Sequence, residues 1–155
     1  MTFNFSFGLT IHFSDSVVSQ LRNYMFLGDF ALEAGGILVG YIEPLKNSIT
    51  VTDMTYPQPC DKRLPFRFSR KQSGHQTIMD ALWKESGFEK MYLGEWHTHS
   101  TLTPIPSKLD IREWKKVARK GHNTPNILFL IVGTSETRLW TIRDGIIYSA
   151  KEVLK

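Results

Sequence analysis

The stretch GEWHTHSTLTPIPSKLD, Gly94 to Asp110, joins a strand to a helix through a short loop stiffened by Pro104 and Pro106. On the strand side, MYLGEWHTH has the two-residue period that sends Met91, Leu93, Glu95, His97 and His99 to one face. Twice the strand rise separates the two histidine Cα atoms by roughly 7 Å, near enough for both rings to reach one ion. On the helix side, Ser107, Asp110, Trp114 and Val117 fall on one stripe, with Lys108, Arg112, Lys115 and Arg119 opposite. The apolar stripe must face the protein, so Asp110 is expected to point inward near the helix N-terminus. A buried carboxylate there is costly unless it is paired or metal-bound, and the helix dipole favours its ionised form. Any fold that uses these groups together must bring this strand end and this helix start to one point.

The rest of the pattern supplies the scaffold. Strand periodicity is expected over about 3–13, 34–42, 48–55, 90–98, 126–133 and 137–142, and helix periodicity over about 14–26, 71–86 and 107–120. A Pro-rich loop, YPQPCDKRLP, precedes the short segment FRFS, and Asp144-Gly145 reads as a two-residue hairpin turn into a last strand. Strands and helices are mixed without strict alternation. That order predicts an α/β (α+β) fold, one mixed central sheet flanked by helices, as a single domain over 1–155. With 41% hydrophobic and 22% charged residues, a chain of 155 residues can bury a core without cross-links. Cys60 is the single cysteine, which excludes an internal disulfide and suits a reducing compartment. The start, MTFNFSFGLTIHF, alternates like a strand and lacks the basic region of a signal peptide. No apolar run approaches the roughly 20 residues of a membrane helix. A cytoplasmic protein with no membrane partner is expected. The net charge of +4 favours acidic partners, but the basic helix face carries no recognised docking motif, which argues against nucleic acid.

Two neutral imidazoles and one carboxylate make three ligands for zinc, leaving the fourth position of a catalytic site to water. Such a zinc lowers the pKa of that water to about 7 and polarises a carbonyl. Each half has an ordinary reading as well. A His-x-His on a strand can be structural, and Ser107-x-x-Asp110 is a capping-box variant with Asp in place of Glu. Their combination, in this order and across a proline-restrained loop, is far more specific than either.

These residues resemble the motif of the JAMM (JAB1/MPN/Mov34) metalloproteases: an upstream Glu, His-x-His, seven residues, Ser, two residues and Asp. Here His97-Thr98-His99 is followed by seven residues to Ser107 and then by Asp110, and the upstream member looks like Glu33 in EAGGILVG. The resemblance implies an MPN/JAB-like fold with Zn²⁺ held by His97, His99 and Asp110. It implies Glu33 as general base and Ser107 as hydrogen-bond donor to the developing oxyanion, the parts that amide hydrolysis needs. Ser100 stands where many members have Pro.

At finer grain, YLGEWHTH, YPQPCDKRLPFRFSRKQSGHQ and the Trp114 helix are similar to a prokaryotic JAB subgroup found in CBASS anti-phage operons. Those operons also encode an E1/E2-like ligase and a nucleotidyltransferase. This similarity implies a deubiquitinase-like isopeptidase that cuts after the C-terminal glycine of a nucleotidyltransferase or ubiquitin-like tail, frees it from target lysines, and so opposes the ligase. The alternatives are a non-catalytic MPN scaffold and a hydrolase acting on ubiquitin-like sulfur carriers. Arg63 and Arg67, with Arg70, interleave with Phe66 and Phe68, either as a solvated edge strand or as a wall for the substrate tail. Glu95 is a substrate-binding candidate with Arg63 and Arg67, and its other readings are to orient a ligating histidine or to pair elsewhere. Cys60, His12, His75 and His122 are expected to have no part in the site.

Overall fold

In the computed structural model, residues 1–25, 32–120, 124 and 126–153 are described. Among them run β1 (Thr2–Asn4), β2 (Thr10–Phe13), α1 (Asp15–Met25), β3 (Gly35–Glu43), β4 (Ser48–Met54), β5 (Lys62–Leu64) and β6 (Arg67–Ser69). Then follow α2 (Gln72–Glu85), β7 (Met91–Thr98), α3 (Lys108–Arg119), β8 (Ile127–Val132), β9 (Thr137–Arg143), β10 (Ile146–Ser149) and β11 (Lys151–Glu152).

A strand that is apolar at every position must be covered on both faces, and ILFLIV of β8 has all its residues buried. Leu128, Leu130 and Val132 enter a core with Phe3, Ile11, Leu93 and Trp96, into which α1 places Val17 and Leu21. Ile127, Phe129 and Ile131 point the other way, onto Trp114 of α3 and Trp140 of β9. The nine-stranded sheet has the order β10-β9-β8-β7-β3-β4-β2-β1-β11, with β2/β4 and β7/β8 parallel and the other pairs antiparallel. This is the mixed sheet with flanking helices that the element order predicts. Ala150 alone links β10 on one edge to β11 on the other, so the sheet curls until its edges meet around the α1 core. The Asp144-Gly145 turn is also as expected, with both residues at positive φ (52° and 77°) and Arg143 opposite Ile146.

Two expectations are corrected. The strand expected over about 3–13 is a hairpin, because the chain turns at Gly8 (φ 86°) with Phe5 N–H donating to the Leu9 carbonyl. Leu93 leaves the face assigned to it. Leu38 lies opposite Gly94 and Val39 opposite Tyr92, so Leu93 is an extra residue, a β-bulge. The bulge reverses the alternation: Leu93 packs into the α1 core, while Tyr92 packs towards the Trp114 cluster and its hydroxyl reaches Glu95 at 3.4 Å. The strand passes so close to β8 here that a Cβ on Gly94 would sit 1.9 Å from the Leu128 carbonyl oxygen.

Candidate metal centre and active site

The parallel pairing of β7 with β8 carries His97 to the end of the sheet, opposite Ile131. His99 follows one step beyond, held by its N–H to the Val132 carbonyl at 2.9 Å. The loop after it returns over β8 and β9. Thr134 N–H donates to the Thr101 carbonyl, Ser135 and Glu136 N–H to that of Leu102, and Pro104 is buried against Gly133. These contacts hold a loop that has Ser100 rather than proline after the second histidine.

The loop delivers Ser107 as the N-cap of α3. Ser107 Oγ accepts from Asp110 N–H at 3.1 Å, and Asp110 Oδ2 accepts from Ser107 N–H at 2.6 Å, a complete capping box. The same carboxylate turns Oδ1 towards His97 Nε2 and Oδ2 towards His99 Nε2, each at 3.3 Å, and the two Nε2 atoms are 3.0 Å apart. One ligand atom from each of His97, His99 and Asp110 lies within 4.8 Å of the others. Burial alone would raise the Asp110 pKa, but hydrogen bonds with the two imidazoles and Ser107 hold it well below the usual carboxylate range. A carboxylate whose ionised form is favoured, beside two convergent imidazole nitrogens, is the chemistry of a zinc donor set, so the residues present fit that ion.

Glu33 precedes β3 and is buried. Its neighbour Ala34 is locked to β7, with N–H to Thr98 Oγ1 and carbonyl to Thr98 N–H, both 2.9 Å. Burial pushes the Glu33 carboxyl up to about 7; the Asp110 charge adds to this, while His99 and the Phe68 N–H oppose it. A carboxyl tuned close to neutrality suits a proton carrier.

Glu33, His97, His99, Ser107 and Asp110 line one cleft of about 730 Å³ between α3 and β6. Arg67, Arg70 and Glu95 line it as well. Glu95 pairs with Arg70 at 2.6 Å and accepts from Tyr92, so its place is beside the histidines and its bonds are to the cleft wall. Arg63 is turned away from the cleft lining. Its Nε and one terminal nitrogen donate to the carbonyls of Glu33 and Leu32, each at 3.0 Å. Sequence reasoning missed Lys116 and Lys120 on the rim; with Arg112 they form an i, i+4, i+8 row, a signal already present in the helical pattern.

The remaining candidates stand apart. His75 is buried on the inner face of α2, where its Nε2–H donates to the Asp61 carboxylate at 2.8 Å and its Nδ1 lies 2.6 Å from Thr55 Oγ1, which accepts from Ile37 N–H. Cys60 is exposed and lies 3.7 Å from Ser73 Oγ, His12 meets Thr2, and His122 lies outside the described residues.

The sequence profile of prokaryotic homologs of the JAB domain matches residues 16–143. A "CD-NTase/cGAS isopeptidase" of Pseudomonas aeruginosa is 36% identical over 79% of this chain and 77% of its own length. A protein of the same name from Vibrio cholerae is 32% identical over 77% of the chain and 74% of its length. A solution structure from Desulfitobacterium hafniense superposes with a TM-score of 0.66 at 21% identity, covering 94% of this chain and 92% of that one, a likeness of fold. A fold of this topology, with the His-x-His strand end and the Ser-x-x-Asp helix start meeting at one point, and a profile match over most of its length, makes this chain a member of the prokaryotic JAB-domain family.

Proposed function

We propose that the chain is a zinc-dependent isopeptidase that releases a protein's C-terminal tail from target lysines, as the names of its relatives suggest for a CD-NTase substrate. The observation that carries the proposal is the convergence of His97, His99 and Asp110 within 4.8 Å, in a cleft that Glu33 and Ser107 also line. Bound zinc would supply Lewis acidity for water activation and carbonyl polarisation. Glu33 would take the proton of the attacking water and deliver it to the lysine amine as it leaves. The Ser107 hydroxyl accepts from Asp110 N–H, so its own hydrogen is available for the developing oxyanion. Among the described residues β6 pairs only with β5, and its other edge could take an extended tail by strand addition, with Arg67 beside it. The proposal includes a cytoplasmic setting in which an E1/E2-like ligase makes the bond and this chain removes it during anti-phage defence, and the subgroup resemblance is what supports it.

The test pairs metal analysis with cleavage of a nucleotidyltransferase-tail fusion. Glu33→Gln is expected to keep one zinc per chain and slow cleavage about 10²–10⁴-fold, the usual share of a general base. Asp110→Ala is expected to lose both metal and cleavage. Full zinc occupancy in Asp110→Ala would remove the ligand assignment, and equal rates for a tail ending in glycine or in a bulky residue would remove the narrow-channel substrate.

A further inference from the structure

Glu33 lies outside the regular sheet, and what holds it is largely the β5–β6 hairpin. Its N–H donates to the Leu64 carbonyl at 2.9 Å. Its own carbonyl and that of Leu32 accept from the two arms of the Arg63 guanidinium, at 3.0 Å each. Its carboxylate accepts the N–H of Phe68, the residue paired with Arg63 across the hairpin. The Phe68 ring then lies over Gly35, so close that a Cβ there would fall 2.4 Å from Cδ1. Thus one cross-strand pair, Arg63 and Phe68, grips the Glu33 backbone with one member and its carboxylate with the other.

We infer that Arg63 is a positioning residue for Glu33: a guanidinium fork that fixes the main chain of the general base from outside the cleft. This rests on the isopeptidase reading, in which Glu33 must meet the attacking water at a set distance. The two accepting carbonyls are consecutive, and one edge of the planar guanidinium meets them with two side-by-side N–H groups, from Nε and one terminal nitrogen. A lysine has a single ammonium centre and cannot hold both carbonyls in that geometry. Arg63 does not line the cleft, so its loss leaves substrate contacts in place and moves the base. A displacement of about 1 Å at a reacting group costs on the order of 10²-fold in rate.

The test compares Arg63→Ala and Arg63→Lys with the wild type, all loaded with zinc. For Arg63→Ala, kcat is expected to fall about 10–100-fold at unchanged zinc content with KM within about twofold, because orientation and not binding is lost. Arg63→Lys should recover part of that rate, and guanidinium at non-denaturing concentration should rescue Arg63→Ala but not the wild type. Hydrogen exchange at the Glu33 amide, read by NMR, should accelerate in Arg63→Ala and slow again with guanidinium. A raised KM at constant kcat would overturn the inference and return Arg63 to the substrate wall. Unaltered Glu33 exchange would overturn it as well. If the wild type holds zinc yet cleaves no tail, the isopeptidase reading falls, and the exchange measurement alone decides whether Arg63 braces Glu33.

Discussion

Trp114 is the residue through which packing should be felt at the metal centre. It is the one buried residue of α3, 4% exposed, stacked on Phe129 at 4.7 Å and tilted against Trp140 at 5.6 Å. It lies one helical turn after Asp110, on the same face. Trp114→Ala should therefore cost about 4 kcal/mol, within the usual range for truncating a buried Trp. At about 2–4 °C per kcal/mol for a chain of this size, melting in EDTA should fall by about 12 °C. Zinc at a hundred times its Kd adds about 2.7 kcal/mol to the wild type, and a tenfold weaker site would lose about 1.4 kcal/mol of that. The assay is thermal unfolding by circular dichroism in EDTA and in excess zinc, with Trp83→Ala as a control, since Trp83 is 43% exposed. A drop in EDTA no larger than that of the control would refute the packing argument. A normal drop with an undiminished zinc increment would refute the link from Trp114 to Asp110.

Burial raises Glu33 to about 7, so the folded state holds its proton more tightly than the unfolded chain does. The stability this contributes is full below the ordinary glutamate range and lost as pH rises through about 7. In EDTA, Glu33→Gln should match the wild type in urea unfolding at pH 4.5 and exceed it at pH 8; an equal difference at both pH values would contradict the burial argument. Arg70→Met leaves Glu95 without its 2.6 Å partner at a site where each side chain is 24% exposed. It should cost about 1–3 kcal/mol in urea unfolding, most of it recovered by adding Glu95→Gln, and no recovery would show the pair to be independent. Gly94→Ala puts a Cβ 1.9 Å from the Leu128 oxygen at φ 155°, so little folded protein should accumulate, and a wild-type melting curve would contradict the bulge.

How much of this could be read from the sequence depends on whether the information is local. Periodicity over 107–120 placed Ser107, Asp110 and Trp114 on the helix face where they lie, because that pattern is set within a few turns. The run 126–133 gave a strand for the same reason, and the structure adds that it is covered on both faces. The bulge at Leu93 escaped, because it is fixed by how β7 pairs with β3 and crowds β8, and those are neighbours far away in sequence. The hairpin at Gly8 had a visible glycine, but alternation on either side of it mimics one long strand. Arg63 sat in a basic, aromatic segment that reads either as a solvated edge strand or as a substrate wall; its bonds to Leu32 and Glu33 cross some 30 residues of chain, and no spacing rule reaches that far.

The two readings of Ser107-x-x-Asp110, the observed helix cap and the proposed metal ligand, are compatible in one device. A carboxylate that is to meet an ion between two imidazoles needs a fixed rotamer, and side-chain entropy opposes this for a partly buried Asp as for any other. The capping box supplies the restraint locally: Ser107 N–H holds Oδ2 while Asp110 N–H binds Ser107 Oγ, so the helix start and the ligand direction are set by the same two bonds. Glu33 is held differently. It has no helix of its own and borrows rigidity from Thr98 through Ala34 on one side and from the hairpin on the other. The proposed ligands thus come from β7, from the residue that follows it and from α3, elements whose cores would persist without the site, while the proposed base depends on a two-stranded hairpin outside the main sheet. Changes in that hairpin should therefore alter catalysis before they alter metal binding, which separates the two properties physically within one cleft.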